Sequence, residues 1–326
     1  MNLNVIMNVK QKSTPQNKYK KIINYCKKLL RFKALYIMMI PTIIMFIVNC
    51  YMPMFGVIMA FERYNPIDGV LHSPWVGLKN FQFIFKTRDA YVITRNTVLF
   101  NLVFIILGLI LAVTLAIVVN EVKNKYAARV YQAAFILPNF ISILVVSYIV
   151  YAFLDPSNGF INKTIMPFLG RPPVEWYSVP IYWIPILIIV RVWSTVGMGS
   201  VLYLSSIASI SPEYYESAII DGATKWQQIK YITIPMLVPL MIIITTLSIG
   251  GIIRGDFGLF YQVTQNSPTL YPVTDVIDTY VYKALINIGN FGMASAAGLY
   301  QSVVGFILII AGNMVVRKID PDKSLF

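Results

Sequence analysis

An all-α polytopic membrane protein, a bundle of six transmembrane helices, is predicted by three features of this 326-residue sequence. Hydrophobic residues make up 57% and charged residues only 13%, and the mean hydropathy is +0.66, well outside the range of soluble domains. Six continuously apolar windows are each long enough for a hydrocarbon core about 30 Å thick, which takes about 20 helical residues. Lysine and arginine concentrate in alternate connecting segments, as they do when one set of loops faces the cytoplasm. A membrane barrel is excluded because the windows do not alternate in polarity and are about twice the length of a barrel strand.

The chain opens on a basic segment, 1–33, with nine Lys and Arg and no acid. Tyr19, Ile22, Ile23, Cys26, Leu29 and Leu30 recur at three- and four-residue spacing, with Lys18, Lys20, Lys21, Lys27, Lys28 and Arg31 on the other face. That pattern predicts an interfacial helix on the anionic lipid of the inner leaflet; the alternative is a disordered basic tail that only sets topology. The apolar run that follows is too long for a signal-peptide core, so it stays as an anchor. This first span, 34–61, and its loop complete an N-terminal region, 34–91. A second region, 92–316, holds spans at about 96–121, 131–154, 181–205, 232–253 and 295–316, and a tail, 317–326, closes the chain. Prolines within spans, such as Pro41, Pro138 and Pro185, are accommodated where neighbouring helices satisfy the freed carbonyls. The segments 1–33, 122–130, 206–231 and 317–326 hold seventeen of the Lys and Arg residues, against nine in the longer set 62–95, 155–180 and 254–294. Both termini are therefore expected in the cytoplasm of a multi-pass plasma-membrane protein. In the outer loops, Trp176 and Trp183 read as interfacial aromatics or as part of a docking surface.

The net charge of +13 belongs to this topology, not to a nucleic-acid-binding surface. Two cysteines, Cys26 and Cys50, and one histidine, His72, supply neither a disulfide framework nor a multi-histidine metal site. No catalytic constellation emerges, and the sequence lacks G-x-x-x-x-G-K-[ST], so no phosphate-cradling loop is present.

The loop between the fourth and fifth spans carries the most information. Ser211 suits an N-cap, Pro212 the first helical position, Glu213 the positive end of the helix dipole, and Gly222 a left-handed stop. A short helix is predicted, followed by a second from Thr224 through Tyr231 into the fifth span. Tyr215, Ala218 and Ile219 share one face of the first helix. Glu216, Ala218, Asp221, Gly222 and Ala223, followed by Ile232, Pro235 and Pro239, resemble the "EAA" loop of ABC-importer permease subunits across 211–239. Ser217 stands at an alanine position of that pattern and Ile234 at a leucine position. The similarity extends from about Val92 to Val316. Within it, 275–282 and 294–300 resemble the branch that imports complex carbohydrates.

The resemblance implies a type I ABC-importer permease that forms half of a path for an oligosaccharide. It implies a second, homologous permease, a cytoplasmic ATPase dimer that binds ATP and magnesium, and an extracellular solute-binding protein. Tyr215, Glu216, Ser217, Ala218, Ile219, Asp221, Gly222 and Ala223 would then form the ATPase-coupling helix. The bland alternative for its carboxylates is a solvated loop face. Arg191 and Trp193 lie where such permeases place substrate-facing groups, with Ser248 on the fifth span and Asn139 and Tyr148 on the third as further path candidates. The alternatives are that Arg191 snorkels or binds a backbone carbonyl and that Trp193 faces lipid. A permease for another solute, such as an amino acid, peptide or phosphate, stays open. An ion-coupled transporter is disfavoured because Glu62 and Glu121 sit only at span ends.

Overall fold

The structure is a computed structural model that describes residues 32–86 and 88–321. The basic segment for which an interfacial helix is expected lies almost wholly outside the described residues, as does the end of the tail. The chain divides into two compact units, Met1–Val57 and Ile58–Phe326. The first holds helix α1 (Lys33–Phe46) and a wide turn, Ile47–Tyr51; the tighter Met52–Phe61 follows and spans the division between the units. α1 contains Pro41 and buries none of its residues. A helix that is apolar on every side and unburied within its own chain is suited to lipid. The polar Asn49 is neutralised locally, its amide donating to the Met45 carbonyl at 2.9 Å.

The second unit is built on α2 (Arg88–Asn120), α3 (Lys125–Ile136), α4 (Ile143–Leu154), α5 (Trp183–Ala208), α6 (Pro212–Ile220), α7 (Ile234–Gly250), α8 (Ile277–Ile288) and α9 (Phe291–Ile319). The most extensive pairing runs between α2 and α5, with α7 against α9 next. Midway along, Ala112, Val113 and Ala116 of α2 pack with Tyr203, Ile207 and Leu237. Small residues on α2 let the backbones approach, which substitutes for the hydrophobic drive that lipid does not provide. Towards the loops 155–180 and 251–290, Trp183, Leu187 and Val190 meet Phe100, Phe260, Leu270 and Val276 in a second cluster. No strand occurs among the described residues; Glu62 and Trp75 form one isolated bridge.

Five helices are long and apolar enough to cross a membrane, and a sixth crossing is present if the bent pair Lys125–Phe140 and Ile143–Leu154 counts as one span. The sequence predicts a continuous helix over 131–154; the structure instead bends it by 96°. Pro138 brings no N–H to the ladder, the chain tightens over Leu137–Phe140, and Ile141 is extended. Ser142 then caps α4, its hydroxyl accepting from the Val145 N–H at 3.4 Å.

Trp183 also departs from expectation. It is fully buried instead of interfacial. Its indole N–H donates to the Trp176 carbonyl at 2.8 Å, and its ring lies 4.9 Å from that of Tyr177. Trp176 is half-buried and donates to Asn162 Oδ1 at 3.1 Å. These aromatics pin the 155–180 loop onto the bundle.

Candidate functional site

At one end of the bundle, α6 begins at Pro212 after Ser211 and ends in a Schellman arrangement. The Ala223 N–H donates to the Ala218 carbonyl at 2.8 Å and the Gly222 N–H to the Ile219 carbonyl at 3.0 Å. Gly222 has φ +78°, a conformation that residues with a β-carbon adopt only at a cost. Ser211 occupies the N-cap, but its side chain makes no capping bond; the preset φ of Pro212 starts the helix instead. Thr224 and Gln227 form a capping box that starts the next turn, Lys225–Gln228, and a wide turn, Ile229–Thr233, carries it into α7.

The two faces of α6 differ. Tyr215 and Ala218 are half-buried, and the Tyr215 hydroxyl meets Thr233 Oγ1 at 3.0 Å at the foot of α7. Glu216, Ser217, Ile219, Asp221 and Gly222 are exposed, Ala223 is half-buried, and large apolar side chains stand open beside them: Ile220 is 85% and Trp226 71% exposed. Sequence spacing groups Tyr215 with Ile219, yet only Tyr215 turns inward. Lys225 reaches Glu121 at the end of α2, 3.2 Å away. α6 is thus tied to α7 and the following turn to α2, so a force on α6 passes into two long helices. Tyr215→Phe removes one neutral hydrogen bond, worth about 1 kcal/mol. Amide exchange over 212–220 in the purified protein is expected to rise roughly fivefold, and unchanged protection would mean the hydroxyl carries no load.

Between α2, α5, α7 and the segment after α7 lies a half-open cavity of about 480 Å³. Arg191 and Ser248 line it, together with Asn101, Thr195, Thr245, Tyr203, Arg254 and Asp256. Arg191 neither snorkels nor settles on a carbonyl: its Nη1 donates to Asp256 Oδ2 in an ion pair, both side chains remaining about one-third exposed. The guanidinium also lies 5.8 Å from the centre of the Phe104 ring. Asn101 fixes the 252–254 wall by donating to the carbonyls of Ile252 and Arg254 at 2.9 and 2.8 Å.

The segment that brings Asp256 to Arg191 is held from behind. Asp278 accepts from the Gly255 N–H and from Gln301 Nε2, the latter at 2.9 Å. Burial pushes the Asp278 carboxyl above the usual carboxylate range, against those two bonds, which lower it. Asp275, three residues earlier, pairs with Lys283 at 2.7 Å and accepts from Thr279 at 2.6 Å, with Lys283 Nζ 3.4 Å from the Tyr271 ring centre. The stretch 275–282, which stands out in the sequence, is therefore the brace of the loop that closes one end of the cavity.

The profile of the family described as "Binding-protein-dependent transport system inner membrane component" matches residues 104–321. The chain belongs to this family. Protein LplB of Bacillus subtilis (strain 168) is 32% identical to this transport component over 96% of its length and 98% of LplB. The same organism's polygalacturonan/rhamnogalacturonan transport system permease protein YteP is 30% identical over 89% and 90%. Among solved structures, a chain of a bacterial ABC transporter involved in the import of the acidic polysaccharide alginate superposes with a TM-score of 0.82 at 33% identity, covering 91% of this component and 99% of that chain.

Within the transport component, the candidate residues separate clearly. The eight coupling candidates, which with Ile220 make up 215–223, form one capped helix end, and Arg191 and Ser248 share the cavity. Trp193, Asn139 and Tyr148 do not line it. Asn139 Nδ2 donates to the Ser194 carbonyl of α5 at 3.3 Å, securing the bend after Pro138, while Tyr148 and Trp193 point outward, 69% and 44% exposed. Sequence reasoning missed Asp256 and Arg254. A half-buried arginine in a span calls for a carboxylate, and Asp256 follows directly on the apolar window that ends at 253.

Proposed function

We propose that this chain is the permease half of an ATP-driven importer, carrying an oligosaccharide through the cavity between α2, α5 and α7 together with a second, homologous permease. A solute-binding protein delivers the sugar on the outer face, where 155–180 and 251–290 lie, and both termini are cytoplasmic. ATP and magnesium belong to a separate ATPase dimer that grips α6. The observation that carries the reading is the two-faced α6: bolted inward through Tyr215, and outward an open surface of Glu216, Ile219, Ile220 and Trp226. An exposed apolar patch rimmed by charge is the mark of a docking surface. ATPase closure would push this helix and, through Thr233 and Glu121, tilt α7 and α2. The sugar assignment draws support from the carbohydrate names of the relatives and from a cavity lined by four hydroxyls and the Asn101 amide.

The reading is tested by cross-linking. In the assembled complex, Ser217→Cys, in a background with Cys26 and Cys50 replaced by serine, is expected to form a bond to the ATPase subunit through a short bifunctional reagent. ATP-dependent uptake with no such bond at any position from 216 to 220 would overturn it.

A further inference from the structure

The cavity has a charge imbalance that a neutral sugar does not need. Three charged side chains line it: Arg191, Arg254 and Asp256. Arg191 and Asp256 neutralise each other. Arg254 is exposed, and its contact among the described residues is a long one, Nη2 to Ser302 Oγ at 3.5 Å. Asp278 lies within electrostatic reach of Arg254 but behind the wall, its carboxylate turned to Gly255 and Gln301. The cavity thus presents a guanidinium with most of its five donors unused.

The neutral groups are arranged the opposite way. Thr195 Oγ1 spends its hydrogen on the Arg191 carbonyl at 2.7 Å, and Ser248 Oγ on the Ile244 carbonyl at 2.8 Å. The Asn101 amide nitrogen is consumed by backbone carbonyls, which leaves its side-chain oxygen to accept. Ser248, Thr195 and Asn101 offer lone pairs to sugar hydroxyls, the hydroxyls of Thr245 and Tyr203 keep a hydrogen to give, and charged donors free for a ligand come from Arg254. Acceptors for hydroxyls beside a two-pronged cation fit one ligand chemistry: a sugar bearing a carboxylate, which guanidinium binds in bidentate fashion.

We propose that Arg254 and Arg191 form a carboxylate-binding subsite for a uronic acid unit, in which Arg254 captures the carboxylate and Asp256 is the internal anion that the carboxylate displaces from Arg191. The proposal rests on the oligosaccharide-importer reading above and deepens it. Asp256 keeps Arg191 from standing uncompensated when no sugar is present, and its exchange for substrate frees the 254–256 corner from α5 as the acidic unit enters. A neutral unit supplies no charge to complete that exchange, so specificity arises within the path as well as at delivery.

The test uses the complete importer in proteoliposomes and three probes, oligomers of galacturonate, mannuronate and glucuronate, each paired with its carboxyl-reduced neutral counterpart. The wild-type complex is expected to take up at least one uronide, saturably and with ATP, and to take up the reduced form of that oligomer at least tenfold more slowly. Arg254→Gln is expected to lower uptake of the uronide roughly tenfold or more, with Arg254→Lys between the two. Equal uptake of acidic and reduced oligomers by the wild type, or a wild-type rate in Arg254→Gln, overturns the subsite and leaves the importer reading in place. ATP-dependent uptake of none of the six carbohydrates overturns both.

Discussion

Glu216→Ala is expected to abolish ATP-driven uptake while the protein stays folded and in the membrane. The carboxylate stands on the open face of α6, with no hydrogen bond or ion pair to it among the described residues. Its removal therefore disturbs little of the chain's own fold, since substitutions at such sites usually stay within about 0.5 kcal/mol and alanine favours the helix. At an interface the balance differs: losing one partner of a docked, hydrogen-bonded charge pair costs about 2–5 kcal/mol. That is enough for roughly thirtyfold or more weaker engagement by the ATPase. The measurement compares uptake and ATP hydrolysis by the assembled complex with the amount of permease in the membrane. Near-normal hydrolysis with lost uptake is the uncoupled result that the lever predicts, and loss of both reports failed docking. Full uptake by Glu216→Ala would mean that the acidic residues of α6 are only a solvated loop face.

Much of this architecture is legible in the sequence because membrane helices obey a one-dimensional rule. Window length and hydropathy place α5, α7 and α9 within a few residues and the end of α2 equally well, though α2 starts at Arg88, well before the window that opens at 96; the proline, glycine and threonine positions of 211–224 locate α6 and its stop. What the rule does not carry is three-dimensional satisfaction of polar groups. Pro138 lies in an apolar window, and hydropathy gives no sign that the chain will turn by 96° there, because Asn139 finds the Ser194 carbonyl on another helix. Trp183 has the composition of an interfacial residue and the environment of a core one, decided by partners at Trp176 and Tyr177. Arg191 is recognisable as a charge in a span, yet its partner lies 65 positions away on a segment that Asp278 and Gln301 hold in place from behind. Spacing likewise puts Tyr215 and Ile219 on one face, whereas the path of α7 beneath them makes one an anchor and leaves the other open.

The same argument from backbone contact gives the largest stability effect. Gly197→Ala is expected to prevent proper assembly of the bundle. Gly197 is buried on α5 where the end of α3 crosses it, and a β-carbon there would overlap the carbonyl of Phe135 and crowd the Ile136 nitrogen, 3.0 Å away. Overpacking a well-filled contact costs about 1–3 kcal/mol when side chains can rearrange. Here the obstacle is main chain, in a helix whose position is also set by the bend after Pro138 and by the Asn139 bond to α5, so the helices must separate. Thermal unfolding of the detergent-solubilised protein should fall well below that of the wild type, or little folded protein should be recovered. Gly199→Ala, one half-turn on, is the control: its β-carbon would meet only Ala112 Cβ, at an ordinary 3.5 Å, and alanine is the better helix former by about 1 kcal/mol. It should unfold at or above the wild-type temperature. Because the overlap is with the carbonyl, trimming the neighbouring side chain does not relieve it, and Phe135→Ala should fail to rescue Gly197→Ala. Rescue by that second change would place the crowding in the Phe135 ring and would overturn the backbone-contact account of this crossing.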